Sequence, residues 1–232
     1  MMKPRDIYEQ TKSRHKILYP EVIKCLPPDC TAPNTALKIL DIGCGDGVFT
    51  DMVSNIYCPS SKVIGVDHNK DVLLQANKLF EGKAKALFVD CRNDFPFSTT
   101  HFDIILCLNV LMALNDQELN HTVKEISRIL ETSGIAVISI VHPDWTALKY
   151  LEETPSGTKS QPVSITYEGH NISHWWRPLS VYTEIFLQHG LHVIKIKEAT
   201  IPESCVASER YKNDIGKKLF AIFQMNQSES VT

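Results

Sequence analysis

The stretch LKILDIGCGDG, residues 37–47, decides the fold of this chain. Its first half is a short apolar run that predicts a buried strand, and its second half is a glycine cluster that predicts a tight turn. Apolar residues then recur at helical spacing, at Phe49, Met52, Val53 and Ile56. The stretch therefore predicts strand, glycine-rich turn and helix, which is the opening unit of a βαβ fold.

The same alternation of strand and helix continues outward from this unit. Strands are predicted at 62–67, 84–89, 102–108 and 135–141, with amphipathic helices between them. The run 102–108 is too uniformly apolar to have a wet face, which is typical of a parallel sheet covered on both sides. The sequence thus predicts an α/β, doubly wound, Rossmann-like sheet.

The end of the chain completes the sheet. A helix is predicted from Ser180 to Gly190, followed by strands at 192–198 and 217–225. We therefore expect seven strands with helices on both faces. The alternation breaks over residues 143–178, which predict an inserted hairpin or lid after strand five, at the edge where doubly wound folds bind ligands.

Composition excludes several classes of protein. Across 232 residues, 24 Lys and Arg stand against 27 Asp and Glu, for a net charge of −3, so no net basic field attracts a nucleic acid. The apolar runs are too short to span a bilayer, and no apolar stretch follows the basic N-terminus as in a secretory signal. The seven cysteines are scattered without a C-x-x-C pair. We expect a cytoplasmic chain with reduced thiols and no metal.

The glycine spacing discriminates between ligands. A dinucleotide fingerprint needs a glycine three residues after Gly45, where this chain has Val48. Asp41 and Asp46 flank the turn and would repel a pyrophosphate, whereas they suit a ligand that carries ammonium and sulfonium groups. Asp67 ends the second strand, where an acid can accept hydrogen bonds from both ribose hydroxyls.

These residues resemble the cofactor signature of the class I S-adenosylmethionine-dependent methyltransferases. The resemblance continues through FDII at 102–105 and ISRILETSGI at 126–135, and covers about residues 35–142 in order. The segment HWWRPLS at 174–180, together with IVHP at 140–143, is similar to a subgroup of small-molecule methyltransferases.

The resemblance implies S-adenosylmethionine as the cofactor and S-adenosylhomocysteine as its product. Carried over residue by residue, it implies contacts to the methionyl group from Asp41, Gly43, Cys44, Gly45 and Leu108, to the ribose from Asp67, to the adenine from His68, Asp90 and Cys91, and over the cofactor from Tyr8 and Tyr19.

The whole chain is expected to form a single methyltransferase domain, 1–232. Its expected parts are a leading helical cap (1–34), a cofactor-binding half (35–142), a substrate lid (143–178), and a closing helix and strands (179–226).

Candidates for the acceptor side lie in and around the lid. Trp175 and Trp176 either anchor the hairpin or stack on a substrate, and alternation places one of them inward. Arg177 either ties the lid to an acid or grips an acceptor carboxylate or phosphate. His142 and His174 are the candidate bases for a hydroxyl or ammonium acceptor.

The expected function is transfer of a methyl group to an O or N atom of a small-molecule acceptor. The alternatives are an RNA, DNA or protein or peptide methyltransferase, and a non-catalytic module that binds S-adenosylmethionine. Strand four ends CLNV at 107–110, without the Asn/Asp-Pro-Pro-aromatic motif that presents an exocyclic amine. An NAD-dependent oxidoreductase is disfavoured by the glycine spacing and by Asp46. The sequence specifies neither the acceptor nor the oligomeric state.

Overall fold

The structure, a computed structural model, describes residues 13–27, 36–57, 61–80, 84–151, 155, 157, 159–167, 170–205 and 211–227. Its strands are β1 (Lys38–Ile42), β2 (Lys62–Asp67), β3 (Ala84–Phe88), β4 (Phe102–Leu108), β5 (Leu130–Val141), β6 (Gln161–Tyr167), β7 (His170–Trp176), β8 (Leu191–Thr200) and β9 (Lys218–Gln227). Its α-helices are α1 (Ser13–Ile23), α2 (Val48–Ile56), α3 (Lys70–Phe80), α4 (Asp116–Ile129), α5 (Pro143–Tyr150) and α6 (Leu179–Gln188). Short 3₁₀ turns occupy Leu111–Ala113 and Glu203–Cys205.

Seven strands form the main sheet in the order β3-β2-β1-β4-β5-β9-β8. The first five in the chain pair in parallel, whereas β9 is antiparallel to both β5 and β8. The order reverses direction at β1 and β4, which is the topological switch point where such folds bind ligands. The predicted doubly wound α/β class is confirmed.

Two apolar layers cover the faces of the sheet. Along β4, Ile105 and Cys107 contribute to one layer, and Ile104 and Leu106 contribute to the other, because successive side chains of a strand point to opposite faces. Helices α4 and α6 cover the first face, and α1, α2 and α3 cover the second. With both faces covered, the uniformly apolar β4 has the environment that its sequence predicts.

The chain between β5 and α6 builds the inserted unit. Strands β6 and β7 pair antiparallel as a hairpin, in register from Gln161 opposite Trp176, and β7 packs against the Leu111–Ala113 turn. Helix α5 precedes the hairpin and was not predicted from the sequence. Its signal was Pro143, which occupies the first helical position, after His142, whose side chain caps the helix.

Several element boundaries differ from the predicted ones by one or two residues, and two differences have a structural reason. Helix α6 begins at Leu179 with Pro178 as its N-cap, so the prediction that Ser180 caps it is wrong. Strand β5 begins at Leu130, five residues before the predicted start, because β4 already pairs with it there. Helix α4 begins with a capping box, since the Asn115 side chain accepts the Glu118 amide while the Glu118 side chain accepts the Asn115 amide.

Candidate active site

A cavity of about 470 Å³ opens at the carboxyl ends of β1, β2 and β4. Leading helix α1, the glycine turn, the starts of α2 and α3, and the segments after β3 and β4 all contribute to its walls. Its described lining consists of Leu18, Tyr19, Asp41, Gly43, Cys44, Gly45, Asp46, Phe49, Asp67, His68, Val72, Gln75, Val89, Cys91, Leu108, Asn109, Val110 and Ala113.

The glycine turn brings bare backbone to the cavity. Gly43 has a φ of 71° and lies so close to the next wall that a Cβ there would fall 2.3 Å from Cγ2 of Val110. Gly45 has a φ of 55°, and a Cβ built on it would meet no atom within 4 Å. The lack of a side chain at Gly43 therefore lets two walls of the cavity approach each other. At Gly45 it exposes the backbone to the open cavity.

Asp67 links the end of β2 to this turn. One carboxylate oxygen accepts the Gly45 amide at 3.0 Å, and the other accepts the Asn69 amide at 2.9 Å. Each oxygen has a further lone pair, so the side chain can also accept hydrogen bonds from a ligand. The carboxylate is thus held in place by backbone donors at the wall where ribose hydroxyls are expected.

Asp41 is the most perturbed acid of the site. Its side chain is buried, and one of its oxygens accepts the Thr50 hydroxyl at 2.5 Å. Burial raises the pKa of Asp41 to about 7; the Thr50 hydrogen bond opposes this shift, and the negative charge of Asp67 adds to it. Among the described residues no Lys or Arg pairs with Asp41, and a ligand ammonium group would stabilise its buried carboxylate.

Two thiols in the lining are kept neutral. Burial raises the pKa of Cys91 to about 11 and that of Cys44 further, and neighbouring carboxylates add to both shifts. Because the thiolate is the nucleophilic form of cysteine, neither side chain is poised for covalent chemistry. They contribute polarisable apolar surface to the cavity instead.

The structure brings most of the predicted cofactor residues together. Nine of them line the cavity: Tyr19, Asp41, Gly43, Cys44, Gly45, Asp67, His68, Cys91 and Leu108. Asp90 is not in that lining, and Arg92 donates to both of its carboxylate oxygens, at 2.8 and 2.6 Å. Tyr8 lies outside the described residues.

Both ring nitrogens of His142 make hydrogen bonds within the fold. Its Nδ1 accepts the Asp144 amide at 3.2 Å, so its proton is on Nε2, which donates to Glu198 at 2.9 Å. The ring is buried and is absent from the described cavity lining. The lone pair that a general base needs is therefore already used to cap α5.

His174 is likewise buried away from the described lining. Burial and the nearby Arg177 lower the pKa of His174 to about 4, so the ring is neutral at physiological pH. Its Nε2 lies 3.3 Å from the Thr146 hydroxyl, which joins β7 to α5. The structure thus places both candidate bases in structural hydrogen bonds of the lid region.

Arg177 ties the lid to α4. Its guanidinium is buried and donates to the Asp116 carboxylate at 2.9 Å, to the Ser160 hydroxyl at 3.0 Å and to the Leu114 carbonyl at 2.7 Å. Two roles were predicted for Arg177, and these contacts match the one in which it attaches the lid to an acidic residue. The guanidinium also lies 5.6 Å from the centre of the Trp175 ring.

The two tryptophans divide as alternation predicts. Trp176 is buried in the lid's own apolar cluster and donates its indole N–H to the Pro143 carbonyl at 3.1 Å, whereas Trp175 is half-buried. Neither side chain is in the described cavity lining. Trp176 therefore anchors the hairpin to α5.

Sequence reasoning missed several residues of the lining. Phe49 of α2 packs against the predicted Tyr19 of α1 with ring centroids 4.6 Å apart and an interplanar angle of 37°, which forms an aromatic wall. Asn109 and Val110 follow β4 directly and face the cavity. Their position at a carboxyl strand end was the available signal.

The donor set fits S-adenosylmethionine on observations of this structure. Open backbone at Gly45, a tethered acid at Asp67 and a buried acid without a cation at Asp41 correspond to the needs of a ribose and an ammonium group. A family model described as "Methyltransferase domain" matches residues 39–134, which include this turn and both acids. Over residues 39–134 the chain is therefore similar to methyltransferase domains.

Relatives of the chain act on varied acceptors. The chain is 27% identical over 61% of its length to malonyl-[acyl-carrier protein] O-methyltransferase of Legionella pneumophila, 48% of which is covered. It is 25% identical over 69% of its length to ajmaline N-methyltransferase of Rauvolfia serpentina, 54% of which is covered. A tRNA N(3)-cytidine methyltransferase of Gallus gallus is 27% identical over 52% of the chain and is covered for 35% of its own length.

The chain spans about half the length of the first two of these relatives. Among solved structures, an S-adenosylmethionine-dependent methyltransferase from Listeria monocytogenes matches with a TM-score of 0.74 at 16% identity, covering 93% of this chain and 99% of that one. This likeness covers most of the chain and supports the fold. Among the described residues, the helices are too short or too polar to cross a membrane.

Proposed function

We propose that the chain uses S-adenosylmethionine to methylate an O or N atom of a small-molecule acceptor. The observation that carries this proposal is the buried Asp41 carboxylate in a glycine-walled cavity, beside the tethered Asp67. This arrangement suits a cationic nucleoside and would repel a dinucleotide pyrophosphate. For location we propose the cytoplasm, on the basis of the odd, scattered cysteine set.

The proposed role of the protein is to position reactants and exclude water. When bound, S-adenosylmethionine supplies a methyl group activated by a sulfonium charge. Asp41 would hold the methionyl ammonium, Asp67 the ribose, and the Tyr19–Phe49 wall would shield the cavity from solvent. Alignment of this kind can supply on the order of 7 to 11 kcal/mol of the barrier, so a strong base is not required for every acceptor.

A small acceptor is favoured over a nucleic acid by charge. The chain carries a net charge of −3, and three acids, Asp41, Asp46 and Asp67, line the cavity. Nucleic-acid binding depends on neutralising phosphates with Lys and Arg, and an acidic cavity opposes it. Because one relative is a tRNA methyltransferase, RNA is the competing acceptor in the test described next.

The proposal is tested by supplying S-adenosylmethionine and separate acceptor fractions to the purified chain. A cell extract is divided into molecules below about 1 kDa, total RNA and total protein, and S-adenosylhomocysteine is quantified by mass spectrometry. We expect product with the small-molecule fraction only. We also expect Asp67→Asn to lower the rate about 10-fold or more, because it weakens a charge-assisted ribose contact.

Asp71→Asn is the matched control, since Asp71 is an exposed acid of α3 outside the cavity lining. It should turn over at the wild-type rate. Product formed only with RNA would replace the proposal by the RNA alternative. Tight cofactor binding without product from any fraction would favour a non-catalytic module.

A further inference from the structure

The charge of the cavity restricts the acceptor more narrowly than the proposed function does. Its charged side chains are the carboxylates Asp41, Asp46 and Asp67, and Lys and Arg are absent from the lining formed by the described residues. Bound S-adenosylmethionine has only a single net positive charge, so an acceptor with a carboxylate or phosphate would still enter against net negative charge. A neutral or cationic acceptor would meet favourable potential.

The one cation considered as an anion grip is already paired. Arg177 contacts Asp116, Ser160 and the Leu114 carbonyl, and it is not part of the described cavity lining. Its Nη1 has no hydrogen-bond partner among the described residues, but the guanidinium is buried outside that lining, so a ligand carboxylate in the cavity does not meet it. The cavity lining therefore offers no cation to an anionic acceptor.

Asn109 supplies a hydrogen-bond acceptor in a part of the cavity that has few other polar groups. It follows the last residue of β4, lines the cavity and has an enclosed Oδ1 without a hydrogen-bond partner. Its backbone is in the left-handed region with a φ of 59°, fixed by its amide donating to the Ser139 carbonyl at 2.9 Å. An enclosed carbonyl oxygen without a partner is costly, and a ligand N–H or O–H would satisfy it.

The rest of the lining around the polar groups is apolar. Leu18, Tyr19 and Phe49 form one wall, and Val110 and Ala113 follow Asn109 along the chain. The site therefore combines acids, one unpartnered carbonyl oxygen and apolar or aromatic surface. That combination suits an amine nitrogen attached to an apolar ring or chain.

We propose that the acceptor is an amine with an apolar body, whose nitrogen donates a hydrogen bond to Oδ1 of Asn109. This inference rests on the proposed function and names its substrate class. The bound ammonium group first releases one proton to solvent, which frees the nitrogen lone pair. In the transfer, that lone pair forms the new N–C bond and the C–S electron pair stays on sulfur. The positive charge thus passes from sulfur to nitrogen, and the methylated amine leaves as an ammonium ion.

The test measures binding of matched probes to the chain saturated with S-adenosylhomocysteine. The probes are benzylamine, 2-phenylethylamine and tryptamine, each with the carboxylate and the alcohol that carry the same ring: benzoate and benzyl alcohol, phenylacetate and 2-phenylethanol, indole-3-acetate and tryptophol. Calorimetry gives each affinity. At least one amine should bind about 10-fold or more tightly than its matched carboxylate and its matched alcohol, because of hydrogen bonding to a charged donor and the acidic lining.

Two variants isolate the Asn109 side chain without straining its backbone. Glycine, aspartate and asparagine all tolerate the left-handed conformation at this position. Asn109→Gly removes the acceptor oxygen and should weaken the amine about 10-fold while leaving the affinity for S-adenosylhomocysteine unchanged. Asn109→Asp keeps an acceptor oxygen and should retain or improve amine binding.

The outcomes separate this inference from the proposed function. Failure to bind S-adenosylhomocysteine would remove the proposed function, and the amine site with it. Binding of S-adenosylhomocysteine together with equal or tighter binding of the carboxylates or alcohols would overturn the amine assignment alone. Wild-type amine affinity in Asn109→Gly, or no amine binding to the loaded chain, would overturn it as well.

Discussion

Replacing Asp41 with Asn should change how the stability of the ligand-free chain depends on pH. The Asp41 carboxyl is buried beside Asp67, and its pKa is raised from 3.8 to about 7. The folded chain therefore holds this proton up to higher pH than the unfolded chain does. Between these two pKa values, stability falls as pH rises, because ionisation is costly only in the folded state.

The magnitude follows from the separation of the two pKa values. Each unit is equivalent to about 1.4 kcal/mol, so the full cost of ionising Asp41 in the folded chain is about 4 kcal/mol above pH 7. At about pH 5 only about 2 kcal/mol of that cost is present. Asn has nearly the same shape, can accept the Thr50 hydroxyl and does not titrate. The variant should therefore gain about 2 to 3 kcal/mol over wild type between about pH 5 and pH 8.

Urea unfolding of both proteins at several pH values measures this difference directly. Asp90→Asn is the control, because the Arg92 guanidinium lowers the pKa of Asp90, so its titration is complete in both states above about pH 5. Its stability difference from wild type should stay constant over the same interval. A difference between Asp41→Asn and wild type that does not widen with pH would refute the assignment of Asp41 as a buried acid that awaits a cation.

Three further substitutions test other parts of the structure. Gly43→Ala should weaken S-adenosylhomocysteine binding about 10-fold or more in calorimetry, because a Cβ there lies 2.3 Å from Val110 and the φ of 71° disfavours alanine; unchanged affinity would contradict the close approach. Arg177→Met should lower the free energy of unfolding by about 2 kcal/mol in urea titrations, since it removes the donor from the buried hydrogen bond to the Leu114 carbonyl; a neutral effect would argue against the lid tie. His142→Ala should cost about 1 to 2 kcal/mol of stability through the lost helix cap while cofactor affinity stays at the wild-type value; a weakened affinity would place His142 at the cavity after all.

The cofactor side of the cavity could be predicted from the sequence because its information is local. The glycine turn and Asp41 lie within a few residues of each other, and Asp67 is fixed by its position at the end of the next strand. Parallel strands bring their carboxyl ends to one edge, so strand order alone brings these groups together. The same reasoning could not show that Arg92 would engage both oxygens of Asp90, because that contact depends on side-chain conformation.

The sequence predicted that the lid is an insertion, but it did not predict which residues the lid contacts. Arg177 meets Asp116 across 61 residues and His142 meets Glu198 across 56, and no local pattern specifies which distant partner a buried polar group will find. Both side chains looked available for chemistry because their partners lay elsewhere in the chain. Asn109 went unnoticed for the opposite reason, since its significance is the absence of a partner for an enclosed oxygen.

The central claim is that the acidic, glycine-walled cavity binds an S-adenosyl ligand. The most direct measurement is isothermal titration of the purified chain with S-adenosylmethionine, S-adenosylhomocysteine and NAD, after mass spectrometry has shown that no ligand was carried over. We expect micromolar-range binding of the first two and none of NAD, with the affinities reduced in Asp67→Asn and retained in Asp71→Asn. Binding of NAD, or no binding of either S-adenosyl ligand by the folded chain, would contradict the claim.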